Sequence, residues 1–331
     1  MREDDIRPKP LLDEFFVRLQ RDAARLASRR SAFVEVACPF CAGSRIGSAF
    51  EKEGFRYAEC DGCGSLYASP RPTPELLRGY LETSEAAGFW STHFYRETAD
   101  ARRLQMFRPR AARIAAIADQ YGLGRDASCA DIGAGYGLFL LELSALHRFN
   151  RVVAIEPDAR LAVVCRDYGF EVVEKWIEDV QPSDVTVDLG AAFEVLEHVF
   201  DPLTFLTAAA RIVRPGGLLF FSTLAASGFD IQALWEHSRS VSPPQHLNFP
   251  TIAGLGRLVE RAGLAVLEMT TPGQLDVDIV RNRLAAQPDL PIPRLARTLA
   301  AANEAARQAL QQVLRDHRLS SHVQCLARRP E

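Results

Sequence analysis

Asp131-Ile-Gly133-Ala-Gly135-Tyr-Gly137 follows the short apolar run Ser128-Cys-Ala-Asp-Ile132 and precedes an apolar stretch that continues through Leu146. The run reads as a buried strand and the stretch as a helix. Glycines between a strand and a helix let the backbone turn tightly and bring its amides close to a ligand. The next apolar run, Arg151-Val-Val-Ala-Ile-Glu156, ends in a carboxylate 25 residues after Asp131. A carboxylate there can accept hydrogen bonds from both hydroxyls of a ribose. The dinucleotide fingerprint is G-x-G-x-x-G. Here the third glycine comes one residue early, and an Asp stands two positions before the first.

Outward from this turn, strands and helices alternate. Strands are expected at 170–173, 185–192, 218–223 and 264–270, with helices over 158–168, 202–213 and 252–262. Such alternation argues a parallel sheet with helices on both faces. Residues 321–328 place Val323, Cys325 and Ala327 on one face, which suggests a final strand inserted antiparallel to its neighbours. Before it come a Pro-rich stretch, 288–293, and one long helix with Leu295, Leu299, Ala302, Ala306, Leu310 and Val313 in register. This segment reads as an added lid or dimer contact. Towards the start, Leu12, Phe16, Leu19, Ala23 and Leu26 form a helical stripe suited to packing. Residues 96–113 read as a basic helical connector with six arginines, among them Arg102, Arg103, Arg108 and Arg110.

The pattern D-x-G-x-G-x-G, Glu156, the segment Phe193-Glu-Val-Leu-Glu-His198 after the fourth strand and Arg214-Pro-Gly-Gly217 before the fifth resemble the class I S-adenosylmethionine (SAM) dependent methyltransferases. The resemblance covers about residues 126–270 and 321–329, in the family's order. It implies an α/β, Rossmann-like sheet of seven strands, the last antiparallel. It implies that Asp131, Gly133 and Gly135 hold the methionine part of SAM, that Gly137 is a further cofactor contact, that Glu156 holds the ribose, and that Trp176 and Ile177 flank the adenine. Phe193 falls among the implied cofactor contacts.

Methyl transfer from a sulfonium needs an acceptor aligned in line and water excluded; an oxygen acceptor also needs a base. Glu194, Glu197 and His198 have the spacing E-x-x-E-H, which resembles the ubiquinone-biosynthesis O-methyltransferases. That resemblance implies a divalent cation, Mg2+ or another, beside a catechol-like acceptor. In a helix the three side chains would share one face. Glu-His also recurs in the wider superfamily without metal, leaving His198 as a base or a hydrogen-bonding residue. His246, in Pro244-Gln-His-Leu-Asn-Phe249, is a second candidate base. Trp235, His237, Asp276 and Asp278 lie in segments that can approach an acceptor.

Cys38, Cys41, Cys60 and Cys63 give C-x2-C-x18-C-x2-C. Thiolates at this spacing suit tetrahedral zinc, and four of them leave no open position, so such a site is structural. Residues 33–72 hold four basic and five acidic side chains, which is no footprint for phosphate. The ribbon is therefore expected to wall the acceptor pocket or to mediate subunit contact.

The net charge of −3 provides no global field for nucleic acid or anionic lipid. No apolar run nears the roughly 18 residues of a membrane helix, and the opening MREDDIRPKP lacks a secretory apolar stretch. A cytoplasmic chain is expected. It divides into an N-terminal helix (1–30), a zinc ribbon (31–72), a helical connector (73–125), a SAM-binding core (126–270), a helical insertion (271–319) and a final core strand (320–331). The expected activity is methylation of an oxygen on a small molecule: a sugar, a natural product or a quinol-like ring. The alternatives are methylation of RNA through the basic connector, or a scaffold with a degenerate SAM pocket.

Overall fold

The computed structural model describes residues 2–331. Its strands are, in chain order, β1 (Ile46–Lys52), β2 (Phe55–Cys60), β3 (Leu66–Ala68), β4 (Ser128–Ile132), β5 (Arg151–Ile155), β6 (Glu171–Val173), β7 (Val187–Phe193), β8 (Val213–Leu224), β9 (Asn248–Phe249), β10 (Ala265–Thr270) and β11 (His322–Arg328). Seven of them form one sheet in the order β10-β11-β8-β7-β4-β5-β6. β4 pairs in parallel with β5 and β7, and β7 with β8. β11 lies antiparallel between β8 and β10, from His322 opposite Leu224 to Arg328 opposite Leu218. The seven-stranded architecture with an antiparallel final strand is thus present.

The sheet sets the place of the site. The chain runs β4, β5, β6 to one side and then crosses back to β7. A crevice opens where the order reverses, at the carboxyl ends of β4 and β7. The glycine turn follows β4, and Glu194 follows β7. Short caps start the flanking helices. Asp158 accepts the amide of Arg160, and Asp201 that of Leu203 just before Pro202 at the first helical position.

A second sheet has the order β1-β2-β3-β9. Its last strand comes from the middle of the chain, pairing Leu66 with Phe249 and Tyr67 with Asn248. Fully buried Arg71 fastens the two parts together. It donates to Ala68 O (2.8 Å), Phe200 O (2.6 Å) and Asn248 Oδ1 (3.0 Å). Asn248 in turn donates to Leu196 O and Val199 O. Thr251 caps the helix Ile252–Arg261 and donates its hydroxyl to Cys63 O at 2.6 Å.

Two expectations are corrected. The long helix of the insertion is two helices, Arg294–Ala300 and Glu304–Asp316. Asn303 Oδ1 accepts the amide of Ala306 and starts a new helix where a continuous one was expected. Glu194 to His198 are not helical. Glu194 adopts φ +56°, and His198 N closes a turn on Val195 O. The expected shared helical face therefore does not form. Among the described residues, no helix is long and apolar enough to cross a membrane.

Arg71→Ala should be strongly destabilising, because it leaves three buried acceptors without their donor. Each buried polar group so orphaned costs about 1–3 kcal/mol. Chemical denaturation should show a loss of about 3 kcal/mol or more.

Candidate active site

A cavity of about 810 Å³ lies over the carboxyl ends of the parallel strands. Asp131, Gly133, Ala134 and Gly135 form one wall. Gly133 has φ +78°, and a Cβ there would come 2.8 Å from Val195. Gly135 has φ +55°, with open space where a Cβ would stand. Its amide donates to Glu156 Oε2 at 2.7 Å, and Asp158 N donates to Oε1 at 2.9 Å. Burial pushes the Asp131 carboxyl up to about 8; Glu156 adds to the effect and Arg110 opposes it. Phe193 stands between Phe139 and Phe220, with the Arg110 guanidinium 4.8 Å above its ring. Gly137 starts the helix Leu138–Ser144 and faces Cys165 rather than the cavity. Trp176 lies under Arg78, and Ile177 is buried in the core. Gly137, Glu156, Trp176 and Ile177 are all outside the cavity lining.

The N-terminal helix Lys9–Ala27 and the start of the insertion close the other side. Leu12, Phe15 and Phe16 line the cavity, as do Gly273, Leu275 and Ile279. The stripe expected only to pack therefore also walls a cavity. Glu3 joins the two covers: its amide donates to Asp278, and its carboxylate accepts from Asn282. Asp276 reaches the cavity edge, but its carboxylate is taken up by Ser320 Oγ, Ser321 N and Gln311 Nε2. Trp235 and His237 lie outside the lining.

Glu194 meets His322 Nε2 (2.8 Å), Ser222 Oγ (2.5 Å) and Arg110 (3.4 Å). Burial alone would raise its pKa. The His322 and Arg110 charges and the Ser222 hydroxyl outweigh that effect and hold it well below the usual carboxylate range. Glu194 does not join Glu197 and His198. The ligand atoms that converge belong to Glu197, His198 and His246, all within 4.8 Å of one another. The imidazole rings of His198 and His246 are 4.8 Å apart, edge to face. His198 Nδ1 sits 2.9 Å from Gln245 O and His246 Nδ1 2.7 Å from Ser240 O. Carbonyl partners assign the proton to each Nδ1 and leave each Nε2 as an acceptor. Burial lowers both imidazole pKa values, that of His246 to about 3, so both rings are neutral at pH 7. Burial and the Glu194 charge raise Glu197 to about 8; its carboxylate accepts from Thr223.

The four ribbon cysteines also converge. Their sulfurs lie within 4.8 Å of one another, with Cys38 to Cys63 at 3.6 Å and Cys41 to Cys60 at 3.5 Å. No residue of 31–72 lines the cavity, so the ribbon does not wall it as expected. It acts one step removed: Tyr57 donates to His246 O at 2.7 Å. In the basic connector Arg102 and Arg110 point inward, while Arg103, Arg108 and Arg113 are partly or largely exposed but paired. Arg103 and Arg108 bind Glu142, Arg110 binds Glu194 and Arg113 binds Glu268.

Residues 97–269 match the family model described as "Methyltransferase domain". The chain belongs to this family. Among curated relatives of this methyltransferase, a ubiquinone biosynthesis O-methyltransferase of Maricaulis maris is 36% identical over 122 residues, 33% of this chain and 46% of the relative. Another of the same description, from Methylocella silvestris, is 38% identical over 100 residues, 28% of this chain and 38% of the relative. The match thus spans less than half of either relative. A solved SAM-dependent methyltransferase of Clostridium acetobutylicum superposes with a TM-score of 0.47 at 9% identity, covering 72% of this chain and 99% of that one.

No sequence motif marks His322 as part of the site, and the sequence presents Arg110 only as a connector arginine suited to RNA. Arg110 is one arginine among six in a basic run. The signal for His322 is positional: the first residue of an antiparallel strand lies at the carboxyl edge of its parallel neighbours, where the site is.

A carboxyl raised in the folded state stabilises the fold fully below its unfolded pKa, near 4. That stability is lost as pH rises through about 8, the Asp131 value. The ligand-free Tm should therefore fall between pH 5 and 8, and Asp131→Asn should flatten the fall. An unchanged slope in the variant would assign the pH dependence to other groups.

Proposed function

We propose that the chain is a SAM-dependent methyltransferase acting on an oxygen of a small molecule bound in the cavity. The observation that carries this reading is one cavity whose lining holds both Asp131 with the glycine turn and His198 with His246. The open space beside Gly135 and the buried acid at Asp131 fit SAM. Asp131 and the turn would hold its methionine part and Glu156 its ribose, and SAM supplies an activated methyl group when bound. Phe193 lines the cavity and is placed to contact the cofactor; Gly137, Trp176 and Ile177, outside the lining, are assigned to it by the family resemblance alone. His198, neutral and with Nε2 free, is placed to accept the proton of a hydroxyl acceptor. His246 stands against it and orients it. Glu194 fixes Arg110 and His322 around the cavity rather than moving a proton itself. The helix 9–27 and the insertion exclude water.

The O-methyltransferase names of the relatives support the choice of oxygen. A cavity covered by the N-terminal helix and the insertion, and a connector whose exposed arginines are mostly paired with carboxylates, favour a small molecule over RNA. Titration of S-adenosylhomocysteine into the wild type and Asp131→Ala tests the core of the reading. Micromolar binding that is much weakened in the variant is expected. No binding by folded wild type would favour the scaffold alternative.

Two metal readings accompany it. The cysteine sulfurs stand close to the ~3.8 Å separation that Zn–S bonds of about 2.3 Å give in a tetrahedron. We propose a structural zinc there, whose loss should unfold the ribbon. At the second cluster, Glu197, His198 and His246 offer one oxygen and two imidazole nitrogens. This set suits a transition metal better than Mg2+, which prefers oxygen ligands. A cation there would polarise the acceptor oxygen. If it does, His246→Ala should abolish stimulation by a divalent cation and leave S-adenosylhomocysteine affinity unchanged. Activity that survives chelation with zinc retained in the ribbon would leave His198 acting as a base alone.

A further inference from the structure

The helix Tyr95–Arg102 is flanked by two π-helical turns, Trp90–Phe94 and Arg103–Phe107. Such turns shift side chains out of α-helical register and recur at functional sites. Here Trp90, Tyr95, Arg102 and Gln105 all line the cavity. Arg102 is only 9% exposed. Its guanidinium lies 5.3 Å from the Trp90 ring centre and 5.2 Å from that of Tyr95. Its Nε is buried without a hydrogen-bond partner, as is Gln105 Oε1. Among the described residues, no carboxylate pairs with Arg102, although the next four arginines of the segment each have one.

Burial, helped by the Arg7 and Arg110 charges and opposed by Tyr95 and Glu194, lowers the Arg102 pKa to about 10, so the group stays charged at neutral pH. A buried cation without a carboxylate partner is destabilising, and an anion bound against it offsets that cost. The methionine carboxylate of SAM is one anion at hand, but the cation near that end is Arg110. It is Arg110, not Arg102, that acts on the ionisation of Asp131. Arg102 lies against Trp90, on which Phe15 of the N-terminal cover packs edge to face at 5.1 Å, and against Tyr95, which stacks on Tyr136 of the glycine turn at 4.3 Å; Arg7 of the cover acts on its charge.

We propose that Arg102, with Arg7 beside it, holds an oxyanion of the acceptor, a carboxylate or a phosphate, while Trp90 and Phe15 cover an adjoining apolar part. This rests on the cavity being the acceptor pocket. It narrows the acceptor to an anionic small molecule whose charge is set apart from the methylated oxygen.

The test is titration of benzoate, phenyl phosphate and benzamide into the full chain, followed by saturation-transfer NMR, with and without S-adenosylhomocysteine. Wild type should bind at least one of the two anions about tenfold more tightly than neutral benzamide, a difference typical of a charge-assisted pair. Whichever anion binds more tightly identifies the group. Arg102→Gln should lose this preference with S-adenosylhomocysteine affinity unchanged, and Arg102→Lys should keep part of it. Equal binding of benzamide and both anions by wild type would overturn the inference, as would a preference that persists in a folded Arg102→Gln. So would a roughly tenfold loss of S-adenosylhomocysteine affinity in that variant, since it would assign the guanidinium to the methionine carboxylate. The cofactor titration of wild type reads the methyltransferase function separately from the anion preference.

Discussion

The Glu194 carboxylate ties together four pieces of chain that have little else in common. It follows β7, takes the Ser222 hydroxyl from β8 and His322 from β11, and meets Arg110 from the helix Arg108–Gln120. A carboxylate facing a cavity in the protein interior stays charged only if such partners are supplied. Meeting them constrains the backbone. The chain must enter the left-handed region at Glu194, and β11 must run antiparallel so that its first residue reaches the carboxyl edge of the sheet. The same contacts fix Arg110 over Phe193 in the cavity wall.

Around this knot, two segments outside the parallel sheet form the cover. The N-terminal helices and the insertion meet through Glu3, Asp278 and Asn282. The insertion is anchored to β11 by Asp276, whose carboxylate is filled by Ser320, Ser321 and Gln311. The cavity is therefore roofed by segments from near the two ends of the chain, its first residues and the start of the insertion, while the floor comes from the parallel strands between them.

The sheet was legible because its signals are local. A glycine turn after an apolar run, a carboxylate closing the next run and an alternating final segment each follow from backbone geometry and side-chain period. The site was only partly legible. His198 and His246 were readable as candidates, but the pairing of Glu197 with both of them depends on a turn at Glu194 that the E-x-x-E-H spacing conceals. The inward aim of Arg102 and Arg110 depends on two π-helical turns, which have no simple sequence period. The break at Asn303 could have been found from its side chain, a good cap in an otherwise continuous helical stripe.

The small sheet has a consequence for how such a chain can be inherited. β9 completes the cysteine-bearing sheet, yet it lies between β8 and β10 in sequence and follows directly on the loop of His246. Arg257 and Arg261 also close on ribbon carbonyls, at Gly62, Pro39 and Phe40. The cysteine module is thus no cassette that recombination can add or delete at a single junction. Loss of it would leave β9 an unpaired edge and Asn248 Oδ1 without its Arg71 donor. The loop carrying His246 must travel with the cysteines, so the cysteine module and this part of the cavity wall should share one lineage in chains built this way.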